Sequence, residues 1–193
     1  NSFSGFEYQP NARLWGTLAP GQALWAAYAR SVRTPSRSDH DLQVIQQAFP
    51  PDSLFTGSPV VLASIQGHSR FASESVRSFD GGYRGRFGSR LFLDVALYFN
   101  QYADVRTNEP DFQSFEIVPA PLHIVVPVRL ANKARATTYG IESSLDYVTN
   151  GRVRFRGSYT YLQIDIRKDV DSFDSDVEGF ENDDPRHHAW FNT

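Results

Sequence analysis

Leu91-Phe92-Leu93-Asp94-Val95-Ala96-Leu97-Tyr98-Phe99-Asn100 alternates residue by residue. Leu91, Leu93, Val95, Leu97 and Phe99 share one parity; Phe92, Asp94, Ala96, Tyr98 and Asn100 share the other. Successive side chains of a β-strand point to opposite faces, so the segment predicts a strand with one wholly apolar face and one mixed face. Val153 to Tyr161 repeats the pattern: Val153, Phe155, Gly157, Tyr159 and Tyr161 stand against Arg152, Arg154, Arg156, Ser158 and Thr160. Consecutive arginines on one strand face do not suit the core of a water-soluble sandwich, whereas they suit a water-filled or plugged lumen. Tyr139, Ile141, Leu145 and Tyr147 alternate with Gly140, Glu142, Ser144 and Asp146, with Ser143 interrupting the apolar side. Between Val76 and Phe87, Phe79, Tyr83 and Phe87 oppose Asp80, Arg84 and Arg86. Arg77 falls on the apolar parity there, which places it at a membrane boundary where its long stem can snorkel.

The connections alternate in length. Pro20-Gly21, Gly88-Ser89 and Asn150-Gly151 are tight hairpin turns, and Asn-Gly is a strong short-range hairpin signal. The others are long, about Thr34 to Ser73, Thr107 to Glu116 and Lys168 to Pro185. Short turns at one end and long loops at the other are the asymmetry of outer-membrane barrels. The pattern predicts an all-β, antiparallel, up-and-down sheet of about eight strands, forming a segment of an outer-membrane β-barrel. The strands fall at roughly 6–19, 22–34, 74–87, 90–106, 115–130, 133–149, 152–167 and 187–193, with Pro10 interrupting the first and Pro119, Pro121 and Pro127 making the fifth irregular. A lone open sheet cannot stand in lipid with unpaired edges, so the strands either close into a small barrel or belong to a larger one.

Composition narrows the alternatives. The chain has 193 residues, with Lys+Arg 19 against Asp+Glu 22, a formal net charge of −3 and no basic run, so nucleic acid is not an expected partner. Cys is 0, which excludes disulfides and thiolate metal sites. Met is also 0 and the start Asn1-Ser2-Phe3-Ser4-Gly5 has no secretion-signal pattern, as expected of a processed chain or an internal fragment. The longest apolar run, Ala23 to Ala29, is far short of the roughly twenty residues of a spanning helix, whereas barrel strands need only ~9–11.

Three groups of motifs resemble the barrel of TonB-dependent receptors, transporters of ferric siderophores, cobalamin and some glycans. The first is Gln9-Pro10-Asn11-Ala12-Arg13-Leu14-Trp15 followed by Leu24-Trp25-Ala26-Ala27-Tyr28-Ala29-Arg30-Ser31-Val32-Arg33-Thr34-Pro35-Ser36-Arg37. The second is Ser73-Glu74, Gly82-Tyr83-Arg84 and Asp94 to Tyr102. The third is Asn132, Thr138-Tyr139-Gly140-Ile141-Glu142 and Gly157 to Leu162. Together they run from about residue 6 to 193. Where the family usually has a Glu-Leu-Gly-like run before Tyr-Arg, this chain reads Asp80-Gly81-Gly82-Tyr83-Arg84. The family's plug domain and TonB box are absent from the sequence, and such a transporter has about 22 strands. The resemblance therefore implies that residues 1–193 are a partial barrel region of a bacterial outer-membrane importer. It further implies membrane lipid, the parent's plug domain, the TonB system through that plug, and a small-molecule or metal-chelate ligand as partners. The alternatives are a porin-like small barrel without TonB coupling, and a soluble β-sandwich that binds carbohydrate. The sandwich requires the Leu91–Phe99 face to be buried against a second sheet.

Candidate sites follow from these faces and loops. Asp94, Asn100, Glu142, Asp146, Arg152, Arg154 and Arg156 share the lumen- and plug-facing parity. The arginines either attract an anionic chelate or hold the plug, and their place beside the Asn150-Gly151 turn favours the plug. Arg33, Arg37 and His40, at the start of the long loop, are candidates for ligand capture; Gln43 to Phe49 is read as a short helix, followed by an apolar patch running to Phe55. Asp174-Ser175-Asp176-Val177-Glu178-Gly179 begins like a calcium loop, but its twelfth position is Pro185 where Glu is required, so Asp174, Asp176 and Glu178 are expected first as a solvated loop. His187 and His188 point to opposite faces of a strand and cannot readily share a metal. No cofactor is expected. Nor is an enzyme: nucleophile-elbow, zincin and P-loop motifs are missing, and Glu142 and Asp146 lie roughly 13 Å apart along a strand, too far for a retaining glycosidase pair.

Overall fold

The computed structural model describes residues 4–149 and 153–193, so the Asn150-Gly151 turn and Arg152 lie outside the described residues. The described strands are β1 (Asn11–Ala19), β2 (Gln22–Arg33), β3 (Gln43–Phe49), β4 (Val60–Gln66), β5 (Glu74–Phe87), β6 (Leu91–Pro110), β7 (Glu116–Pro119), β8 (Leu122–Thr149), β9 (Val153–Lys168) and β10 (His187–Asn192). A short helix, α1 (Arg37–Asp41), and a 3-10 turn at Val177–Asn182 complete the elements. No helix among the described residues is long and apolar enough to cross a membrane.

All ten strands belong to one sheet, two more than the pattern predicts. Its wall runs β1-β2-β5-β6-β8-β9-β10, antiparallel throughout. β1 and β10 each pair on one side only, so the sheet stays open among the described residues. Gly21 and Gly88 take positive φ at 77° and 61° in the tight turns, where a Cβ would be strained. Register converts the period-two sequence into two continuous faces. On one, Tyr28, Phe79, Phe99 and Tyr139 form a row across β2, β5, β6 and β8. The Tyr28 and Phe79 rings are 5.1 Å apart and those of Phe79 and Phe99 6.5 Å apart, within the range of favourable aromatic pairs. From Leu91 to Phe99 this apolar face extends about 27 Å along the strand. It is bare: Leu97 is 57% exposed and Phe99 39%. Among the described residues no second sheet covers it, so the sandwich alternative lacks the burial it requires.

The long-loop end departs from the sequence reading. Gln43 to Phe49 is strand β3, not a helix; the helix falls earlier, at Arg37–Asp41. Ser36 starts it through a capping box: its hydroxyl accepts from the Asp39 N–H, and the Asp39 carboxylate accepts from the Ser36 N–H at 2.8 Å. β3 pairs with β4, and β4 lies parallel to the first part of β8 from His123 to Arg129. The physical reason is an open edge. β9 stops pairing with β8 where Lys168 meets Ala134, and β4 takes over the backbone groups that β9 leaves. Tertiary pairing thus overrides the helical spacing of Val44, Ile45, Ala48 and Phe49. The strands expected at 115–130 and 133–149 are likewise one strand, β8, with β7 as a short hairpin arm folded against its start. Pro127 is accommodated within β8, its carbonyl accepting the Asp111 N–H at 2.8 Å. The first strand begins at Asn11, after Pro10, whose carbonyl accepts the Arg30 N–H.

These loops enclose a small water-type core. Ile65, Phe71 and Leu130 are buried together with Val128 packed on them. We refer to β3, β4, α1, the loop return 67–73, the start of β8 and the acidic loop as the cap.

Candidate functional site

The polar face of the wall carries a chain of cross-strand pairs. Arg84 on β5 donates through Nε to Asp94 on β6 at 2.8 Å. Arg154 on β9 forms a two-pronged bond with Asp146 on β8, with Nε at 2.8 Å from Oδ1. Asn100 donates to Thr138 Oγ1 at 3.0 Å. Glu142 and Arg156 make no hydrogen bond or ion pair among the described residues. The predicted lumen set, Asp94, Asn100, Glu142, Asp146, Arg154 and Arg156, therefore does share one face, with Arg152 outside the described residues. A groove on this face runs from Trp25 past Ala96 to Glu142, Ser158 and Thr160. Its shape depends on Gly82: an added Cβ there would sit 2.6 Å from Trp25 Nε1, so the indole lies flat only over glycine.

The loop candidates are not brought together in one site. Arg33 spans Glu74 at 2.7 Å and Asp39 at 3.2 Å, bolting the start of the long loop to its return. The Glu74 hydrogen bond raises the Arg33 pKa further, against a smaller effect of burial. Burial pushes the Asp39 carboxyl up, but the Ser36 N–H and hydroxyl together with Arg33 outweigh it and hold the group below the usual aspartate value. Arg37 is 87% exposed and lies 3.5 Å from Asp41, one helical turn on. His40 is half-buried on α1. Leu54 and Phe55 of the apolar patch are exposed between β3 and β4.

The acidic stretch is largely self-engaged. Asp174 is buried and accepts the N–H groups of Asn108, Asp176 and Val177 at 2.8–3.1 Å. Asp176 accepts the Ser175 hydroxyl, and Glu178 the Lys168 N–H. Asp169 pairs with Arg135 at 2.8 Å and Asp171 with Lys133 at 3.0 Å. Asp174 thus acts as a loop staple whose oxygens already face backbone donors, and no group of three or more metal-binding side chains occurs among the described residues. On β10, His187 lies on the apolar face beside Tyr159 (OH to Nδ1, 2.8 Å) and His188 on the other.

Sequence reasoning missed Glu109 altogether and named Asn132 only as a motif residue, without its part in building the cap. Glu109, at the end of β6, accepts the Ser172 hydroxyl and the Phe173 N–H, both at 2.7 Å. Asn132 accepts from the Ala72 N–H at 2.7 Å and donates to the Ala72 and Asp104 carbonyls. The only available signal was a polar residue isolated at a strand irregularity: β6 shifts register between Tyr102 and Thr107, opposite Asn132.

Comparison with known proteins agrees with this architecture. Residues 2–189 match the family described as TonB dependent receptor-like, beta-barrel. No curated protein matches the sequence. Among solved structures, the siderophore receptor PirA from Acinetobacter baumannii superposes with TM-score 0.65 at 16% identity, over 88% of this chain and 24% of that one. The FrpB iron transporter from Neisseria meningitidis (F3-3 variant) gives 0.56 at 14%, over 85% and 21%. The copper transporter OprC gives 0.57 at 16%, over 94% and 23%. At such identities the likeness shows the fold, and the chain spans about a quarter of these relatives' length. With the family match covering nearly all of the sequence and the open antiparallel wall agreeing with it, this chain belongs to the TonB-dependent receptor β-barrel family.

Proposed function

We propose that residues 1–193 form a partial wall of a TonB-dependent receptor in the bacterial outer membrane, which imports a ferric siderophore or a similar scarce nutrient. The observation that carries this reading is the bare apolar face of a continuous antiparallel wall, backed by a face of ion pairs. Only lipid on one side and a hydrated lumen on the other suit both faces at once. In this reading the tight turns are periplasmic and the cap is extracellular. The plug of the parent chain lies against the Asp94–Glu142–Arg156 side and couples to TonB. Arg154 is already committed to Asp146, which supports a role in wall and plug contacts over an anion track. The names of the structural relatives, siderophore receptor, iron transporter and copper transporter, support a metal-chelate ligand and transport in place of bond-making catalysis.

Envelope fractionation followed by mass spectrometry of heat-modifiable outer-membrane bands tests this. Peptides of this sequence are expected in a band far larger than 21.8 kDa together with plug peptides. A soluble species of the chain's own mass would overturn the reading. Ligand capture by the cap is tested by Arg37→Ala with His40→Ala in the full receptor; unchanged affinity would remove those two residues from the ligand site.

A further inference from the structure

Among the described residues four strands pair on one side only: β1 and β10 in the wall, β7 and β3 above it. An exposed edge of backbone N–H and C=O groups invites another strand, and most edges of this sheet are closed against that. β7 has only four residues, carries Glu116 and ends at Pro119. The edge of β9 above its pairing with β10 is covered by its own loop. There the Arg186 carbonyl accepts the Leu162 N–H at 2.9 Å, and the Glu181 and Glu178 carboxylates accept the N–H groups of Ile166 and Lys168. β3 has none of these devices. Gln43-Val44-Ile45-Gln46-Gln47-Ala48-Phe49 contains no charge and no proline, and Val44 and Ile45 are 46% and 50% exposed. Among the described residues no hydrogen bond reaches its outer side. The partner that complements such a row of backbone groups is another extended polypeptide.

Position says which one. Antiparallel pairing reverses the chain at each step along the wall, so β1 and β10, the first and seventh strands, both descend toward the tight-turn end. They cannot pair antiparallel with each other. Resting on the outer-membrane reading above, the edge of β10 in lipid requires a strand beside it, and that strand rises. β4 stands above β9 on the same side of β8, and β3 stands one strand further out, above β10. The rising strand that flanks β10 therefore comes up alongside the free edge of β3. We propose that this edge is a strand-acceptor site, filled in the parent receptor by the extracellular continuation of the strand that flanks β10. β8 descends, β4 lies parallel to it and β3 antiparallel to β4, so β3 rises with its new neighbour. The pairing is then parallel, as that of β4 with β8 already is. Val44 and Ile45, on opposite faces of β3, both gain cover from the added strand. The long loop is thereby built into a continuous cap wall and does not hang free as a lid.

Hydrogen exchange at residue resolution on the full-length receptor without ligand reads the edge directly. Successive N–H groups of a strand face opposite neighbours, so an empty edge leaves the outward subset of Gln43–Phe49 amides unprotected. The outward subset is expected to exchange about a hundredfold more slowly than unstructured peptide. Exchange of that subset at the unstructured rate, with the β4-facing amides protected, would overturn the proposal; the measurement needs no variant. Ile45→benzoylphenylalanine then identifies the occupant by photo-crosslinking. Crosslinks to the parent chain outside residues 1–193 are expected. Crosslinks only to a separate polypeptide would overturn the assignment in favour of a captured peptide. Both measurements use heat-modifiable protein and so test the β3 edge alone. A receptor that is not heat-modifiable would overturn the barrel reading and this proposal with it.

Discussion

The wall and the cap of this chain are stabilised by opposite means. The wall has long strands, long antiparallel ladders and almost no buried side chain; its large apolar groups lie exposed on one face. The cap has short elements but holds Leu130 at 1% exposure, Phe71 at 3%, and carboxylates that accept bonds from buried donors. Burial of apolar surface away from water stabilises both, but the wall needs another phase to supply it, while the cap supplies its own. One sequence thus follows two rules, hydrophobic-out below Ala134 and hydrophobic-in above it, and β8 passes through both.

Phe71→Ala is expected to have the largest effect, about 3–5 kcal/mol of local stability, because it empties the centre of the cap core. Hydrogen exchange in the full receptor should quicken at Val60–Gln66 and the start of β8, while heat-modifiable migration of the barrel stays. Loss of both would show that the two regions are one cooperative unit. Val95→Arg, on the bare face, should cost ~2–4 kcal/mol if it lies near the bilayer midplane, read by urea titration in lipid vesicles. A neutral result would argue against the lipid-facing assignment. Asn132→Ala removes the clasp between the loop return and β8 and leaves the Ala72 N–H to water, a loss of about 0.5–1.5 kcal/mol confined to the cap. Protease nicking between residues 66 and 74 should rise without any change in the wall.

The smallest effect separates the regions by pH. Burial lowers the His68 pKa, and Arg129, Arg70 and His40 lower it further. Its neutral form is therefore favoured in the folded cap. The stability it confers is whole above the ordinary histidine value of about 6.5 and declines as pH falls from there toward the lower folded value, since the unfolded segment takes up the proton first. Exchange protection of Val60–Gln66, corrected for intrinsic rates, should fall between neutral and mildly acidic pH, and His68→Gln should flatten that slope.

The wall was legible because period two is a local property: the parity of Leu91 to Asn100 is fixed by neighbouring residues alone. The polar-face set could be read for the same reason. The cap was not legible because its order comes from pairings distant in sequence. Nothing within Gln43–Phe49 announces that Val60–Gln66 will lie alongside it, or that Val60–Gln66 will run parallel to residues sixty positions away on β8. Arg33 shows the same limit at a single residue. A basic side chain at a loop entrance suggests a ligand, and only the positions of Asp39 and Glu74 show that it bolts the loop closed.

β8 carries a mechanical consequence. Its 28 residues are unbroken from Leu122 to Thr149, so the stretch above Ala134 is a mast rooted in the wall. From Ala134 to Leu122 that mast is about 40 Å tall. A tilt of about 5° at its foot moves its tip by about 3.5 Å, without breaking one backbone bond in the strand. With β4, β6 and β7 rigged to it, small rotations of the wall are magnified at the loop tips, and force applied at the tips is felt as torque at the wall.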